Sequence, residues 1–178
     1  MSNPDILAWH DFFASVAGVG ATLAGLLFVG LTISLDHMLQ GRGYLARAFT
    51  ALFLQFEILL LGLFALIPGQ PGWALGLEWM VAGSGVLAGI TAFARNFPED
   101  EHSAVLGSRG PRTVRLVLTG IGTLLPVVAG FALIIGWRGA LYLITPAIAA
   151  CIYLSIGNAW VFAVEIPRRT AQEKGRSP

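Results

Sequence analysis

The residues most able to carry chemistry in this sequence are acids set within or beside long apolar segments. Glu57 lies in LFLQFEILLLG at 52–62, and no basic residue occurs within nine positions on either side of it. A carboxylate at the centre of a membrane helix costs about 2.5–3.5 kcal/mol on insertion-based scales. Burial without a cationic partner favours the neutral acid, so Glu57 could be a protonated group that hydrogen-bonds a neighbouring helix. The alternative is an acid that binds a cation or relays a proton.

A second set of candidates lies on one face of the first apolar segment. At about 100° per residue, small or weakly polar side chains follow one line that has an acid at each end: Asp11, Ala14, Gly18, Thr22, Gly25, Val29, Thr32 and Asp36. The opposite face is bulky, and we expect it to meet lipid: Phe12, Phe13, Val16, Leu23, Leu27 and Leu31. The small face could be a helix–helix contact, because small residues let backbones approach closely in membranes. It could also line a pore or a subunit interface.

Polar residues within the other segments are candidates for holding helices together. Asparagine and glutamine side chains hydrogen-bond across membrane helices, and this is the role expected for Asn158 and Gln55. Gln55 points away from the face that carries Glu57. Thr123 and Pro126 share a face of the fourth segment, where the proline permits a kink and the face provides helix packing.

Five apolar segments must position these residues, and they lie near 12–36, 46–67, 74–96, 113–136 and 140–165. Each is long enough to cross about 30 Å of hydrocarbon as a helix. The 178-residue chain is 12% charged, which is about half the charged share of a soluble domain. The pattern predicts an all-α fold, a polytopic bundle of five transmembrane helices that forms one integral membrane domain over 1–178. The short break GWRG at 136–139 predicts a tight hairpin between the last two helices.

The basic residues sort to one side of such a bundle. Of the 11 Lys and Arg residues, only Arg138 falls on the other side of the membrane when five spans are threaded. Cytoplasmic loops carry an excess of Lys and Arg, so the N-terminus is predicted outside and the C-terminus cytoplasmic. Trp9, Trp73 and Trp137 then fall at the outer interface, where indole rings prefer to lie.

Several classes of function find no support in the residue pattern. The histidine–aspartate pairs at 10–11 and 36–37 lie at opposite ends of the first segment, so they cannot form one site in a protomer. The single cysteine, Cys151, lies in an apolar run without the electropositive neighbours of a reactive thiol. The histidine and acids of the loop at 98–112 lack metal-ligand spacing on a rigid element. We therefore expect no catalytic residues, no metal site, no cofactor and no nucleic-acid partner.

Two stretches carry a resemblance to known proteins. FFASVAGVGATLAGLLFVGLTISLDHML, followed by LFALIPGQPGWALGLEW, resembles a set of small multi-pass bacterial inner-membrane proteins of unknown function. The resemblance covers the first two segments and the loop after them, which is under half the chain. It implies a multi-pass location in the bacterial plasma membrane and assigns no functional residues.

The candidates favour an oligomeric channel that conducts cations or protons. Glu57 would be the intramembrane acid, and Asp11 and Asp36 would form acidic rings at the mouths that concentrate cations. Five helices leave little room for both a lipid-facing exterior and a transport cavity, so we expect a homo-oligomer with the first segment at its axis. The alternative is a non-catalytic scaffold or regulatory subunit that docks a larger membrane-protein partner through glycine-rich helix faces.

Overall fold

Five long helices make up most of the chain that the structure describes. The computed structural model describes residues 6–33, 42–96, 112–137 and 139–160. After a short 3-10 helix at Ile6–Trp9, its helices are α1 (His10–Ile33), α2 (Arg42–Ala65), α3 (Gly72–Asn96), α4 (Arg112–Ile134) and α5 (Ala140–Trp160). All five are long and apolar enough to cross a membrane, and the described ranges contain no strand. The prediction of an all-α, five-span membrane protein is confirmed, although the predicted segment ends at 36 and 165 lie outside the described residues.

A tight turn joins α4 to α5 and confirms the predicted hairpin. Gly136 has a φ of 77°, a conformation that glycine adopts without steric cost. The backbone N–H of Trp137 donates to the carbonyl of Ala132 at 2.9 Å, and that of Gly136 donates to Leu133 at 3.0 Å. These two bonds form a Schellman motif, which satisfies carbonyls at the end of α4 and reverses the chain at once. The two helices then pack against each other along their length.

The helices α2 and α5 occupy the inside of the bundle. Helix α2 contacts α1, α3 and α5, and α5 contacts α1, α2 and α4. Both helices carry apolar side chains that are almost completely buried: Leu54, Ile58 and Leu61 of α2, and Leu141 and Ile144 of α5. A group that either helix directs toward the other therefore lies inside the bundle.

Helix α1 packs with its bulky side inward, so the prediction that this side meets lipid is wrong. Phe13, Val16 and Leu27 are buried, whereas Gly18 and Gly25 of the opposite face have no atom within 4 Å of the position that a Cβ would take. Lipid and protein interior are equally apolar, so hydrophobicity does not select the inward face. Large side chains gain more dispersion contacts between helices than small ones do, and this favours burying them.

Glycines set the closest helix contacts. A Cβ on Gly20 of α1 would lie 3.0 Å from the backbone nitrogen of Leu59, and one on Gly62 of α2 would lie 2.8 Å from that of Ala17. These two glycines let the backbones of α1 and α2 touch. The contact brings the carbonyl of Gly20 within reach of α2 side chains at the middle of the bundle.

Candidate functional site

Glu57 lies near the middle of the α2 span, which runs from Ala48 to Ala65. The residue is completely buried, at 0% exposure. Its Oε2 accepts a weak hydrogen bond from the Cys151 thiol of α5, with 4.0 Å between oxygen and sulfur. Its Oε1 is buried and has no hydrogen-bond partner among the described residues. An intramembrane acid is thus held at the contact of two inner helices, and one of its two oxygens has no partner among the described residues.

A third helix completes the surroundings of this carboxyl group. A Cβ on Gly122 of α4 would lie only 2.6 Å from the Cys151 sulfur. The thiol therefore occupies the space that a side chain at position 122 would need. Helices α2, α4 and α5 meet at this level, since the same Cβ position on Gly122 lies 3.8 Å from the Leu54 side chain of α2.

No charged side chain among those described faces Glu57; its environment is set by burial. Arg95 is exposed in the last turn of α3, and Arg115 lies in the first turns of α4. His10 contacts Asp11 at 3.3 Å between Nδ1 and Oδ1, at the start of α1. The described cationic groups thus lie near helix ends, while the acid lies at the middle of the membrane span.

Gln55 plays the interhelical role predicted for it. Its Nε2 donates to the carbonyl oxygen of Gly20 on α1 at 2.8 Å, and the residue is 1% exposed. Its Oε1 is buried without a partner among the described residues. Because Gln55 contacts α1 and Glu57 contacts α5, the two polar side chains project to different sides of α2, as the sequence predicts.

The remaining packing candidates are buried as expected, with one difference. Asn158 is 6% exposed and Thr123 is fully buried. The Thr123 hydroxyl donates to the carbonyl of Thr119 at 2.9 Å, one turn earlier on its own helix, so it does not bond across helices. Thr123 and Pro126 act through packing, because a Cβ on Gly83 of α3 would lie 2.9 Å from the Thr123 carbonyl oxygen and 3.3 Å from the Pro126 Cβ.

The candidates on α1 lie apart from Glu57. The open face of α1, defined here as Gly18, Thr22, Gly25, Val29 and Thr32, is exposed on the outside of the protomer. Its two threonine hydroxyls bond within their own helix, at 2.8 Å to the Gly18 carbonyl and 2.9 Å to the Phe28 carbonyl. Asp11 is exposed at the start of the helix, and Asp36 lies outside the described residues. One protomer therefore does not combine the α1 face and Glu57 in a single path.

Sequence reasoning missed two members of the site. The predicted site residues do not include Cys151 or Ser155, and Ser155 is 2% exposed with a buried Oγ that has no partner among the described residues. Helical register on α5 could have found both, since Cys151, Ser155 and Asn158 share one face. Their proximity to Glu57 depends on a contact between residues 94 positions apart, which no local pattern encodes.

The described residues contain no group of three or more His, Cys, Asp or Glu that could hold a metal ion. The site is therefore best described as a buried acid with a thiol neighbour, enclosed by apolar side chains. No protein-family model, curated protein or solved structure matches this chain.

Proposed function

We propose that the protein is an oligomeric membrane channel that conducts protons, with Glu57 of each protomer as the proton-binding group. One observation carries the proposal: a fully buried carboxyl group lies near the middle of a membrane span, with one oxygen unpartnered and no facing cation among the described residues. Intramembrane acids are costly, and they mark ion and proton pathways. A purely structural acid would be expected to use both oxygens in hydrogen bonds.

A proton suits this site better than a metal cation does. A dehydrated cation needs a shell of several oxygen ligands. The described neighbours of the Glu57 carboxyl instead include the Cys151 thiol, and the buried apolar side chain of Leu54 lies one turn earlier on α2. Proton binding needs only the carboxyl oxygen and one hydrogen-bond partner at a time.

The orientation and location belong to the same proposal. The excess of Lys and Arg on one side supports a cytoplasmic C-terminus and an external N-terminus in a bacterial plasma membrane. Asp11, exposed at the start of α1, would then face the external solution. Asp11 from several protomers would raise the local concentration of protons there, and Asp36 would do so on the cytoplasmic side.

Proton flux through liposomes tests the role of Glu57. We expect purified wild-type protein to dissipate a pH gradient, and Glu57→Gln to lower the flux to that of protein-free liposomes, because glutamine fills the same space but binds no proton. A pH-sensitive dye inside the liposomes gives the flux, with the membrane potential clamped. Glu78→Gln is the matched control, since it removes the half-buried carboxyl of α3 and should leave the flux near that of the wild type. If the Glu57→Gln protein conducts protons as fast as the wild type, Glu57 is not part of the conduction path.

A second candidate is a scaffold or regulatory subunit that docks a larger membrane protein. The open face of α1 favours it, because no atom of the described residues lies within 4 Å of the Cβ position on Gly18 or Gly25, so this face could accept a foreign helix. This candidate predicts no flux from the purified protein under any gradient. It also predicts that a partner co-purifies in a fixed ratio, and that this partner no longer co-purifies when a large side chain is placed on the open face.

The same face provides a test of oligomerisation. We expect Gly25→Leu to dissociate a homo-oligomer while leaving the protomer folded, because the new side chain blocks close approach by another helix. Native mass spectrometry from detergent gives the subunit number. Gly85→Leu on α3 is the control, since that glycine is also open but lies on another helix. An unchanged subunit number in Gly25→Leu would exclude the open face as the interface between copies.

A further inference from the structure

The buried polar groups of α5 lie on one side of Glu57. Cys151, Ser155 and Asn158 are 0%, 2% and 6% exposed. They are spaced four and three residues apart, so they share one face of the helix. With a rise of 1.5 Å per residue, they extend about 10 Å from the level of Glu57 toward the end of α5. Polar side chains therefore continue inside the protein from the acid in that direction.

Helix α4 adds polar groups at matching levels. The contact of Gly122 with Cys151 fixes the register of the antiparallel hairpin. Counting seven residues from this contact along each helix places Arg115 level with Asn158. Thr119 lies between, near the level of Ser155, and both Thr119 and Arg115 are half-buried. The two helices thus present polar groups in facing pairs toward the side where α4 begins and α5 ends.

Two atoms along this route have unused hydrogen-bonding capacity. Glu57 Oε1 and Ser155 Oγ are both buried, and neither has a partner among the described residues. Buried polar atoms in proteins are nearly always satisfied by protein or by ordered water. A hydroxyl group both donates and accepts, so Ser155 can pass a proton between water and the carboxyl group.

On the side of Glu57 where α5 begins, the buried side chains of α5 are apolar. Toward the start of α5, the buried residues are all apolar: Ala150, Ile148, Ala147, Ile144, Leu141 and Ala140. The indole of Trp79, fully buried, lies across the same level and donates its N–H to the Leu61 carbonyl at 3.2 Å. On α5 the described buried residues of this layer offer no hydrogen-bonding side chain, and the Trp79 N–H is already bonded. The carboxyl group next to this layer is that of Glu78 on α3, whose Oε2 is buried without a partner among the described residues.

We infer that Glu57 exchanges its proton with one side of the membrane only, through water held along Ser155, Thr119, Asn158 and Arg115. The inference rests on the proposed role of Glu57 as the proton-binding group. A hydronium ion at the mouth loses its proton and becomes water, and the Glu57 carboxylate gains one and becomes a carboxyl group. Conduction then requires the apolar layer around Trp79 to open, so this layer is the gate.

Other titratable groups lie on every helix packed around Glu57. Those on the described side chains are His10 and Asp11 of α1, Glu78 and Arg95 of α3, Arg115 of α4, and Cys151, Tyr142 and Tyr153 of α5. Both tyrosines are exposed on the outside of the bundle. Glu78 lies on the flank of α3, next in sequence to Trp79, and would be the proton carrier if access came from the opposite side.

The infrared carbonyl band of the protonated Glu57 carboxyl tests this inference directly. The band is assigned by its absence in Glu57→Gln, and it is followed in sealed vesicles of known protein orientation while the pH is changed on one side. We expect a response to pH on the side where α5 ends and none to pH on the other side. Ser155→Ala should slow the response about tenfold, the effect of losing about one hydrogen bond from the route. Ser155→Thr, which keeps the hydroxyl, should restore it.

Control variants separate the outcomes. Ser84→Ala removes an exposed hydroxyl on α3 and should leave the response unchanged. A response from the opposite side, a response slowed by Glu78→Gln, or an unchanged rate in Ser155→Ala would each overturn one-sided access. If Glu57→Gln abolishes flux but Ser155→Ala has no effect, the channel stands without this route. If the wild type shows no flux but the one-sided response depends on Ser155, the route stands and the channel does not.

Discussion

Gly130→Leu is expected to leave no folded bundle. Gly130 of α4 faces Gly76 of α3, and a Cβ on either glycine would clash with the backbone carbonyl oxygen of the other. The same Cβ on Gly130 would lie 3.1 Å from the backbone nitrogen of Met80. Overpacking costs about 1–3 kcal/mol when side chains can adjust. Here two helix backbones would have to separate, so the loss should exceed that range.

The yield of monodisperse protein after detergent extraction measures this effect. Gly120→Leu is the matched control, because it makes the same change on the same helix at a glycine with no atom within 4 Å of its Cβ position. We expect Gly120→Leu to purify like the wild type and Gly130→Leu to aggregate or be degraded. A monodisperse Gly130→Leu protein with an unchanged unfolding temperature would show that α3 and α4 do not touch through these glycines.

Trp79→Ala should give the second large effect, a loss of about 3–5 kcal/mol in the free energy of unfolding. Trp79 is the largest fully buried side chain, its ring centroid lies 5.8 Å from that of Phe13, and its N–H bonds the Leu61 carbonyl. It links α3 to both α1 and α2. Removing it opens a cavity where three helices meet and leaves a carbonyl without its donor.

Unfolding in a series of denaturing detergent mixtures measures the loss for Trp79→Ala. Trp73→Ala, six positions earlier on α3, removes the same side chain from a site that is 60% exposed and should change the free energy by no more than about 0.5 kcal/mol. Trp79→Phe should fall between the two, because it keeps most of the volume but loses the hydrogen bond. Equal stabilities for the two alanine variants would contradict the central position of Trp79.

The spans could be predicted from the sequence because membrane helices must satisfy every backbone hydrogen bond internally. Long apolar runs broken by QGRG, PGQPG and GWRG leave few other solutions. Gln55 could also be predicted, since an amide in lipid needs a partner on another helix. Its partner could not, because a backbone carbonyl such as that of Gly20 leaves no mark in the sequence.

The orientation of α1 and the surroundings of Glu57 could not be predicted. In a soluble protein, polarity distinguishes the inward face of a helix, but in lipid both faces are apolar. The small face of α1 looks suited to packing, yet Phe13 and Leu27 take the inner positions. The contact of Glu57 with Cys151 follows from the way α2 and α5 pair, and the close glycine contacts that set the helix packing lie on α1, α2, α3 and α4.

The turn at Gly136 has a consequence for the site about 20 Å away. Because the Schellman motif joins α4 to α5 with no slack, it fixes the rotation of one helix relative to the other before either meets α2. Adding a single residue between Trp137 and Ala140 would turn α5 by about 100° about its own axis. The thiol and hydroxyl of Cys151 and Ser155 would then face away from Glu57. The length of this turn thus determines which side chains of α5 lie at the centre of the bundle.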